Sequence, residues 1–379
     1  MTWDDARKAL AAILKDVSYD KDAGYELGWE RLEVERSRLP PPYMVFMILV
    51  IGHTCKYRLR PFEKTLWSIN LRFKGVPLRI ELGKFGLLLD APSAAAWSSL
   101  TEPFIDVLSK AARVADRGSQ GLIAQQLENG RITIPNRYHI YDHRYEFFRK
   151  KAIRAYKTPP QPFPMDSLKA GSKRHGVTWD PFKPEREGFF YGSASIDSYF
   201  SRLEHLLVLL FPFSNSFGAG PDIVPFIAAT WRTKFKRIFD LSKDREAKDL
   251  YEALIAAKER FRNSVSHGFE KGPSSLLVHY PFGAIPVQLA RARDGVHFSM
   301  YPMRAASFIE VSDLFKRTDR YLRAGPTRFG FMYVKSGLDV PCDVDSIKKY
   351  KSAMSSPGVF EQFIERESFL HYQNVNMEW

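Results

Sequence analysis

Apolar residues in the second half of the chain recur at intervals of three and four, the spacing of one face of an α-helix. The segments with the widest apolar stripes are residues 195–211, 221–240, 249–268 and 307–323. Gly268 is suited to end the third segment, because glycine readily adopts the left-handed conformation found at helix ends. Four helices with broad apolar faces predict an all-α bundle in this half.

The first half contains a different pattern, in which apolar and polar residues alternate with the period of a β-strand. Three runs are separated by turns that contain glycine: KTLWSINLRF from Lys64, VPLRIEL from Val76 and KFGLLL from Lys84. They predict a small antiparallel meander. The continuous apolar run at 43–52 predicts a buried strand. Because helical spacing occupies the opening segment and returns after Pro92, we predict an α+β fold for this half.

A basic helix and a proline-rich stretch follow. Residues 142–157 interleave cations with aromatic residues, as in the run Phe147-Phe148-Arg149-Lys150-Lys151. Two interpretations remain open: the helix follows an RNA backbone and stacks on bases, or its aromatics lie in the core and its cations in water. Between 158 and 190 the periodicity disappears and prolines are frequent, which predicts an interdomain connection.

These patterns divide the chain into an N-terminal α+β domain (1–157), a basic connection (158–190), a helical bundle (191–325) and a C-terminal extension (326–379). Within the bundle, an insertion of about forty residues after Gly268 contains short β-like runs. The extension is predicted to contain a strand, RFGFMYV from Arg328, and a final helix over 359–372.

Composition narrows the class of protein. The chain has 379 residues and a net charge of +13, which favours a polyanionic partner. Cys55 and Cys342 are the only cysteines, which argues against a disulfide framework or a zinc ribbon and fits a reducing cytoplasm. The opening segment is not a secretory signal, and the longest apolar run has about half the length that a membrane-spanning helix needs. We therefore expect a cytoplasmic protein without a membrane segment.

Several well-known chemical motifs are missing from the sequence. It contains no G-x-x-x-x-G-K-[ST] loop, no G-x-G-x-x-G after a strand, no H-E-x-x-H and no G-x-S-x-G. Paired metal-ligand spacing is also missing. The sequence therefore does not support a nucleotide-driven motor or an enzyme that uses a dinucleotide. We predict no cofactor and no metal.

Functional side chains are concentrated at the end of the third predicted helix, in the run Arg262-Asn263-Ser264-Val265-Ser266-His267. Asn263 and His267 are four apart and share a helix face, whereas Arg262 and His267 are about 140° apart on a continuing helix. Arg262 and His267 converge on one substrate only if the helix breaks near Ser266, or if two chains each lend a pair. Arginine suits phosphate and histidine exchanges protons near neutral pH. Cleavage of RNA by its own 2′-hydroxyl needs a group that transfers protons and a cation that stabilises the phosphorane. Histidine and arginine together can supply both.

This run resembles the R-polar-x3-H signature of HEPN domains, the all-helical domains of many prokaryotic ribonucleases and toxins. The resemblance extends over about residues 192–323 and implies a HEPN-like four-helix bundle with an insertion. It also implies that two protomers form a composite cleft and that RNA is cut without metal, leaving cyclic phosphate and 5′-hydroxyl ends. Arg366/His371 and two other pairs have comparable spacing. They lack the surrounding pattern of amphipathic helices, the Asn after the Arg and the Gly after the His.

The resemblance implies roles for individual residues. Arg262 stabilises phosphate charge, His267 acts as general base or acid, and Asn263 orients His267 or the scissile phosphate. The predicted substrate-binding and auxiliary residues are Arg232, Lys236, Arg260, Ser266 and, as the auxiliary residue, Glu204. His205, next to Glu204, is predicted to be structural.

We therefore predict a metal-independent endoribonuclease that acts on RNA as a homodimer. A role in toxin action or phage defence, with an antitoxin or sensor partner, is implied by the resemblance alone. Two alternatives are a non-catalytic HEPN-like module for dimerisation or nucleotide binding, and a basic nucleic-acid-binding regulator. A purely structural interpretation of the motif also stays open, in which Arg262 and Asn263 are solvated and His267 is a capping residue.

Overall fold

A computed structural model describes residues 2–20, 29–60, 65–83, 86–160, 162, 180–217, 223–263, 277–280, 283–286, 290–292, 295–297 and 303–376. Contacts within the chain define two units. One comprises Met1–Arg131 with Glu365–Trp379, and the other comprises Ile132–Ile364. No helix in the described ranges is long and apolar enough to cross a bilayer.

The first unit combines helices with a sheet. Its helices are α1 (Trp3–Ile13), α2 (Pro42–Phe46, followed by a π-helical segment Met47–Gly52), α3 (Ala94–Trp97) and α4 (Thr101–Glu128). Its strands are β1 (Val17–Tyr19), β2 (Glu30–Arg31), β3 (Arg58–Arg60), β4 (Thr65–Phe73), β5 (Val76–Gly83) and β6 (Gly86–Ala91).

The predicted meander is confirmed as the centre of the antiparallel sheet, in which the strand order is β1-β4-β5-β6-β2 and β3 also pairs with β4. The β4–β5 turn needs positive φ, 49° at Lys74 and 82° at Gly75, which suits the glycine. Ile69 and Ile80 point to the core of this unit and are paired across β4 and β5. This unit is α+β, as predicted.

The prediction of a strand at 43–52 is wrong, because this run is helical. Pro42 occupies the first turn of α2, where its missing N–H costs nothing. The buried residues of the run are Met44, Val45, Ile48 and Leu49. Their spacing is that of one helix face. A continuous apolar run fits a buried strand and a buried helix equally well, so periodicity could not distinguish them.

The second unit is mainly helical. Its longer elements are α5 (Tyr138–Lys157), α6 (Lys183–Leu210), α7 (Ile223–Ala228), α8 (Trp231–Ile238), α9 (Arg245–Ala257), α10 (Ala305–Ala324), α11 (Arg328–Lys335), α12 (Val344–Ala353) and α13 (Pro357–Asn376). Residues from Glu365 onwards cluster with the first unit. Short antiparallel pairs join β7 (Thr133–Ile134) to β12 (Val340–Pro341), β8 (Leu277–Tyr280) to β9 (Gly283–Pro286), and β10 (Ala290–Ala292) to β11 (Gly295–His297).

Helix α6 is the centre of this unit, and its buried residues include Tyr199, Leu203, Leu206 and Leu210. Aromatic contacts join it to its neighbours: Tyr199 stacks on Phe315 of α10 at 3.6 Å, and Phe200 lies 5.6 Å from Trp231 of α8. Phe235 of α8 contacts Tyr251 of α9, 5.6 Å away. Tyr321 of α10 donates to the Asp244 carboxylate at 2.7 Å. Asp244 also caps α9, so these contacts connect α6, α8, α9 and α10 in a closed ring.

Two predicted elements in this unit differ from the structure. The single helix expected over 221–240 is two helices, because Thr230 interrupts it and caps α8 through the Thr233 N–H. The strand expected at RFGFMYV is the helix α11, which buries Phe331 and Val334 on one side. Phe329, Phe331 and Tyr333 alternate, and in a segment this short alternation imitates a strand.

The predicted domain boundaries also differ from the contacts. The first unit ends at Arg131 rather than at 157, because α5 packs along α6 in an antiparallel manner. Tyr145 lies 5.3 Å from Tyr199, and a Cβ on Gly188 would meet the ring of Tyr156. The proline-rich stretch therefore links two helices of one unit and is not an interdomain connection. Residues 326–364 belong to the same unit as the predicted bundle, since α11 packs on α6 and α10.

Candidate functional site

The motif follows α9 directly. Helix α9 ends at Ala257, and the chain continues as a π-helical segment, Lys258–Asn263. Phe261 is buried and joins the core of the second unit, whereas Glu259 and Arg260 are exposed. The backbone of Arg262 and Asn263 belongs to this segment. Their side chains, and the whole of Ser266 and His267, lie outside what the structure describes.

The π-helical segment includes the first two residues of the motif, Arg262 and Asn263. In a π-helix the backbone hydrogen bonds join residues five apart, so the helix is wider than an α-helix. The separation of about 140° between Arg262 and His267 assumed 3.6 residues per turn. Within Lys258–Asn263, the wider turn brings positions five apart, such as Lys258 and Asn263, closer to the same face. Such segments occur frequently at functional sites.

Two arginines, one on α8 and one within the segment, lie at this segment. Arg232 of α8 forms an ion pair with Glu259 at 2.7 Å, and both side chains are about half exposed. Arg260 lies over the ring of Phe261, 4.7 Å from its centre. Exposed ion pairs contribute little stability, so Arg232 can exchange Glu259 for a phosphate at small cost.

Lys236 lies one turn after Arg232 on α8, 5.3 Å from the ring of Tyr251. It lines an open groove of about 1010 Å³. The other charged residues of the groove are Arg237, Asp240, Lys243, Asp244 and Arg245. The four basic residues outnumber the two acidic ones, so the groove suits an anion better than a cation.

Glu204, the predicted auxiliary residue, accepts a hydrogen bond from Nζ of Lys234 at 2.9 Å. The Lys234 side chain is 3% exposed and that of Glu204 is 45% exposed. Because a buried ammonium needs a counter-ion, we interpret Glu204 as the counter-ion of Lys234.

His205 has the environment of a structural histidine, as predicted. Its Nε2 accepts a hydrogen bond from the backbone N–H of Arg137 at 3.1 Å, and its ring lies 5.0 Å from that of Tyr141. Burial, with the charges of Arg137 and Lys234, lowers the pKa of His205 to about 4. The ring is therefore neutral at physiological pH and accepts rather than donates at Nε2.

The sequence interpretation missed a buried ionic cluster. Arg202 of α6, with 3% of its side chain exposed, binds Asp142 of α5 and both carboxylate oxygens of Asp319 on α10, at 2.6 and 2.7 Å. Its guanidinium also lies over the rings of Tyr145 and Tyr199, at 4.6 and 4.7 Å. A usable signal was present in the sequence: Arg202 is three residues from Tyr199 and four from Leu206, on the apolar stripe of α6.

Burial and ion pairing act against each other in this cluster: burial raises the pKa of Asp319, although the charge and hydrogen bond of Arg202 lower it. Burial opposes the charge of Arg202, but the electrostatic effects of Asp319, Tyr199 and Tyr138 and the hydrogen bond to Asp319 together outweigh it and raise the pKa of the guanidinium. Burial raises the pKa of the Asp142 carboxyl group, whereas the hydrogen bond and charge of Arg202 lower it. The net effect is a lowered pKa. We interpret this cluster as a structural ion-pair network that connects α5, α6 and α10.

Among the described residues, no group of three or more histidine, cysteine, aspartate or glutamate side chains is arranged to hold a metal ion. Comparisons of the chain with protein-family models, with curated proteins and with solved structures found no match. The interpretation of this site therefore depends on its own residues and on the resemblance of the Arg262–His267 run.

Proposed function

We propose that this protein is a HEPN-type endoribonuclease that cuts RNA without a metal ion. The 2′-oxygen of one nucleotide attacks the adjacent phosphorus, and the bond from phosphorus to the 5′-oxygen breaks. His267 takes up or delivers the proton, Arg262 stabilises the charge on the phosphorane, and Asn263 orients His267 or the phosphate. The products carry a 2′,3′-cyclic phosphate and a 5′-hydroxyl group.

The observation that carries this proposal is the π-helical segment Lys258–Asn263, which occurs where the motif begins. A regular α-helix would separate Arg262 from His267 around the helix axis, and in the proposal the wider turn continues through the motif and reduces that separation. Phe261 anchors the segment in the core. The backbone that carries Arg262 is thereby held by the protein interior, which is a requirement for a preorganised site.

The surrounding helices support the comparison with HEPN domains. Helices α6, α8, α9 and α10 form a closed ring of contacts, and short strand pairs intervene between α9 and α10. This arrangement is compatible with a HEPN-like four-helix bundle that carries an insertion. In the proposal two such bundles pair, so that the motifs of both protomers line one cleft. Action in the cytoplasm, as a toxin or in phage defence with an antitoxin or sensor partner, belongs to the same proposal.

Cleavage in the presence of a chelator tests the chemistry. Purified protein is incubated with structured RNA in excess chelator, and the 3′ ends of the products are analysed for cyclic phosphate. Wild type is expected to cut, and Arg262→Ala and His267→Ala are expected to lose activity by about a hundredfold or more.

His371→Ala is the matched control, because Arg366 and His371 have the same spacing but lie in helix α13. It is expected to cut like wild type. Equal cutting by wild type and His267→Ala would contradict the assignment. Salt-sensitive RNA binding without any cleavage would instead favour the basic nucleic-acid-binding regulator.

A further inference from the structure

Helix α5 presents a cationic face that the proposed active site does not use. The opposite side of α5 is buried against α6 through Tyr145, Ala152 and Ala155. The cationic face consists of Arg144, Phe147, Lys150, Lys151, Arg154 and Lys157. Their spacing of three and four places them in one stripe along the helix, and all six are exposed or partly exposed.

The cations of this face have no carboxylate partner within the described residues. Arg149, which flanks the stripe, differs because it forms an ion pair with Glu146 at 2.9 Å. Lysine and arginine near the end of a helix also interact favourably with its dipole. That effect is confined to the last turn and does not account for Arg144 or Lys150. A row of like charges of this length, without a carboxylate partner in the described part of the chain, repels itself and is stabilised by a polyanion.

Phe147 distinguishes the face from an ordinary solvated helix surface. Its side chain is 54% exposed in the middle of the row. Lys151 lies over the ring at 5.7 Å and Phe148 contacts it edge-on at 5.3 Å, which orients the ring. An exposed, oriented aromatic ring among cations is the combination that binds unpaired bases while the phosphates are neutralised.

The row also has the dimensions of a strand of nucleic acid. Arg144 and Lys157 are about 20 Å apart along the helix, at about 1.5 Å per residue, which is enough for several nucleotides. Its C-terminal end opens into a groove of about 520 Å³ lined by Lys150, Ile153, Arg154, Lys157, Thr158 and Pro159. A duplex keeps its bases stacked and offers none to Phe147, so a single strand fits this face better.

We propose that the cationic face of α5 holds a single-stranded segment of the RNA substrate, with phosphates on the cations and one base stacked on Phe147. The inference depends on RNA being the substrate, as proposed above, but not on catalysis by Arg262 and His267. A membrane surface fits less well, because α5 has already buried its apolar side against α6 and cannot insert it into lipid.

Binding of a labelled single-stranded 2′-O-methyl RNA tests this, since that oligonucleotide lacks the 2′-hydroxyl needed for cleavage. Fluorescence anisotropy at several salt concentrations gives the affinity and its salt dependence. The variant Lys150→Ala/Arg154→Ala/Lys157→Ala is expected to bind about tenfold more weakly at low salt. Its slope of log affinity against log salt should fall by about 2, or about 0.7 per lost phosphate contact.

The matched control is Lys348→Ala/Lys349→Ala/Lys351→Ala, which removes the same charge from exposed positions of α12. It is expected to leave affinity and slope essentially unchanged. Phe147→Ala should weaken binding at least about fivefold without changing the slope, and Phe147→Trp should restore it.

Equal losses in both triple variants, or no loss in the α5 variant, would overturn the inference. So would tighter binding of duplex than of single-stranded RNA, or a wild type that binds anionic vesicles but no RNA. Failure of the two proposals is distinguishable. Binding that depends on α5 in a protein that never cuts RNA rejects the nuclease and retains the RNA-binding face. If the protein cuts RNA but the α5 variant binds RNA as well as wild type does, the nuclease is retained and the RNA-binding face is rejected.

Discussion

Arg202 carries a full charge in the interior of the second unit, where an unpaired ion would cost several kcal/mol. The carboxylates of Asp142 and Asp319 offset that cost. They belong to α5 and α10, 60 and 117 residues away in sequence. The sequence offers a hint, an arginine on an apolar stripe, but it does not identify the partners. Only the packing of three helices brings these side chains together.

Asp319→Asn is expected to lower the free energy of unfolding by about 3 kcal/mol, the low end of the cost of breaking a buried ion pair. The substitution keeps the shape of the side chain but removes the charge that Arg202 requires. Asp142 still pairs with Arg202, which limits the loss. Urea-induced unfolding followed by far-UV circular dichroism measures it.

Asp313→Asn is the control on the same helix, because Asp313 pairs with Lys316 at 2.9 Å with 59% of each side chain exposed. An exposed pair of this kind contributes less than about 1 kcal/mol. If the two variants lose equal stability, the buried pair of Arg202 and Asp319 contributes no more to stability than an exposed pair, and the prediction is wrong.

At the scale of single elements, the sequence predicts most helices of the second half and the meander of the first. The strands predicted at 43–52 and at RFGFMYV are helices, since continuous or short apolar runs fit both periods. Tertiary packing chose the helix in both cases: Val45 and Leu49 face the core of the first unit, and Phe331 and Val334 face that of the second. The π-helical segment at Lys258–Asn263 has no signal in the periodicity at all.

The close approach of α5 and α6 depends on Gly188. A Cβ built at this position would lie 2.5 Å from Cε1 of Tyr156, and that ring is held by a hydrogen bond from its hydroxyl to the Met303 carbonyl at 3.0 Å. Gly188→Ala is therefore expected to destabilise the protein by about 1–3 kcal/mol through overpacking. Thermal and urea unfolding measure the effect.

Gly121→Ala in α4 provides the comparison, because a Cβ there meets nothing within 4 Å. It should be neutral or stabilising by up to about 1 kcal/mol, the gain in helix propensity. Equal stability of Gly188→Ala and wild type would show that α5 and α6 can separate without cost.

At the scale of the whole molecule, the proposed composite cleft requires two chains. Arg262→Ala and His267→Ala are each expected to be inactive alone. After mixing and subunit exchange, about half of the dimers combine the two variants and retain one arginine and one histidine, from opposite chains. Cleavage should therefore reappear in the mixture, while light scattering reports a dimer throughout.

If mixing restores nothing although exchange is shown with differently tagged chains, both groups must come from one chain. The site would then be formed within each protomer. A monomer that cuts RNA would contradict the composite cleft altogether.

The sequence by itself determined the α+β class of the first unit, the positions of the main amphipathic helices, the excess of positive charge and the identity of the Arg262–His267 run. These depend on local spacing and composition, which a chain carries in any conformation. The tertiary structure decided that α5 belongs with α6, that Glu204 pairs with Lys234 and that Arg202 is enclosed by two carboxylates. Contacts between residues far apart in sequence exist only after helices have packed, and for that reason no local pattern could reveal them.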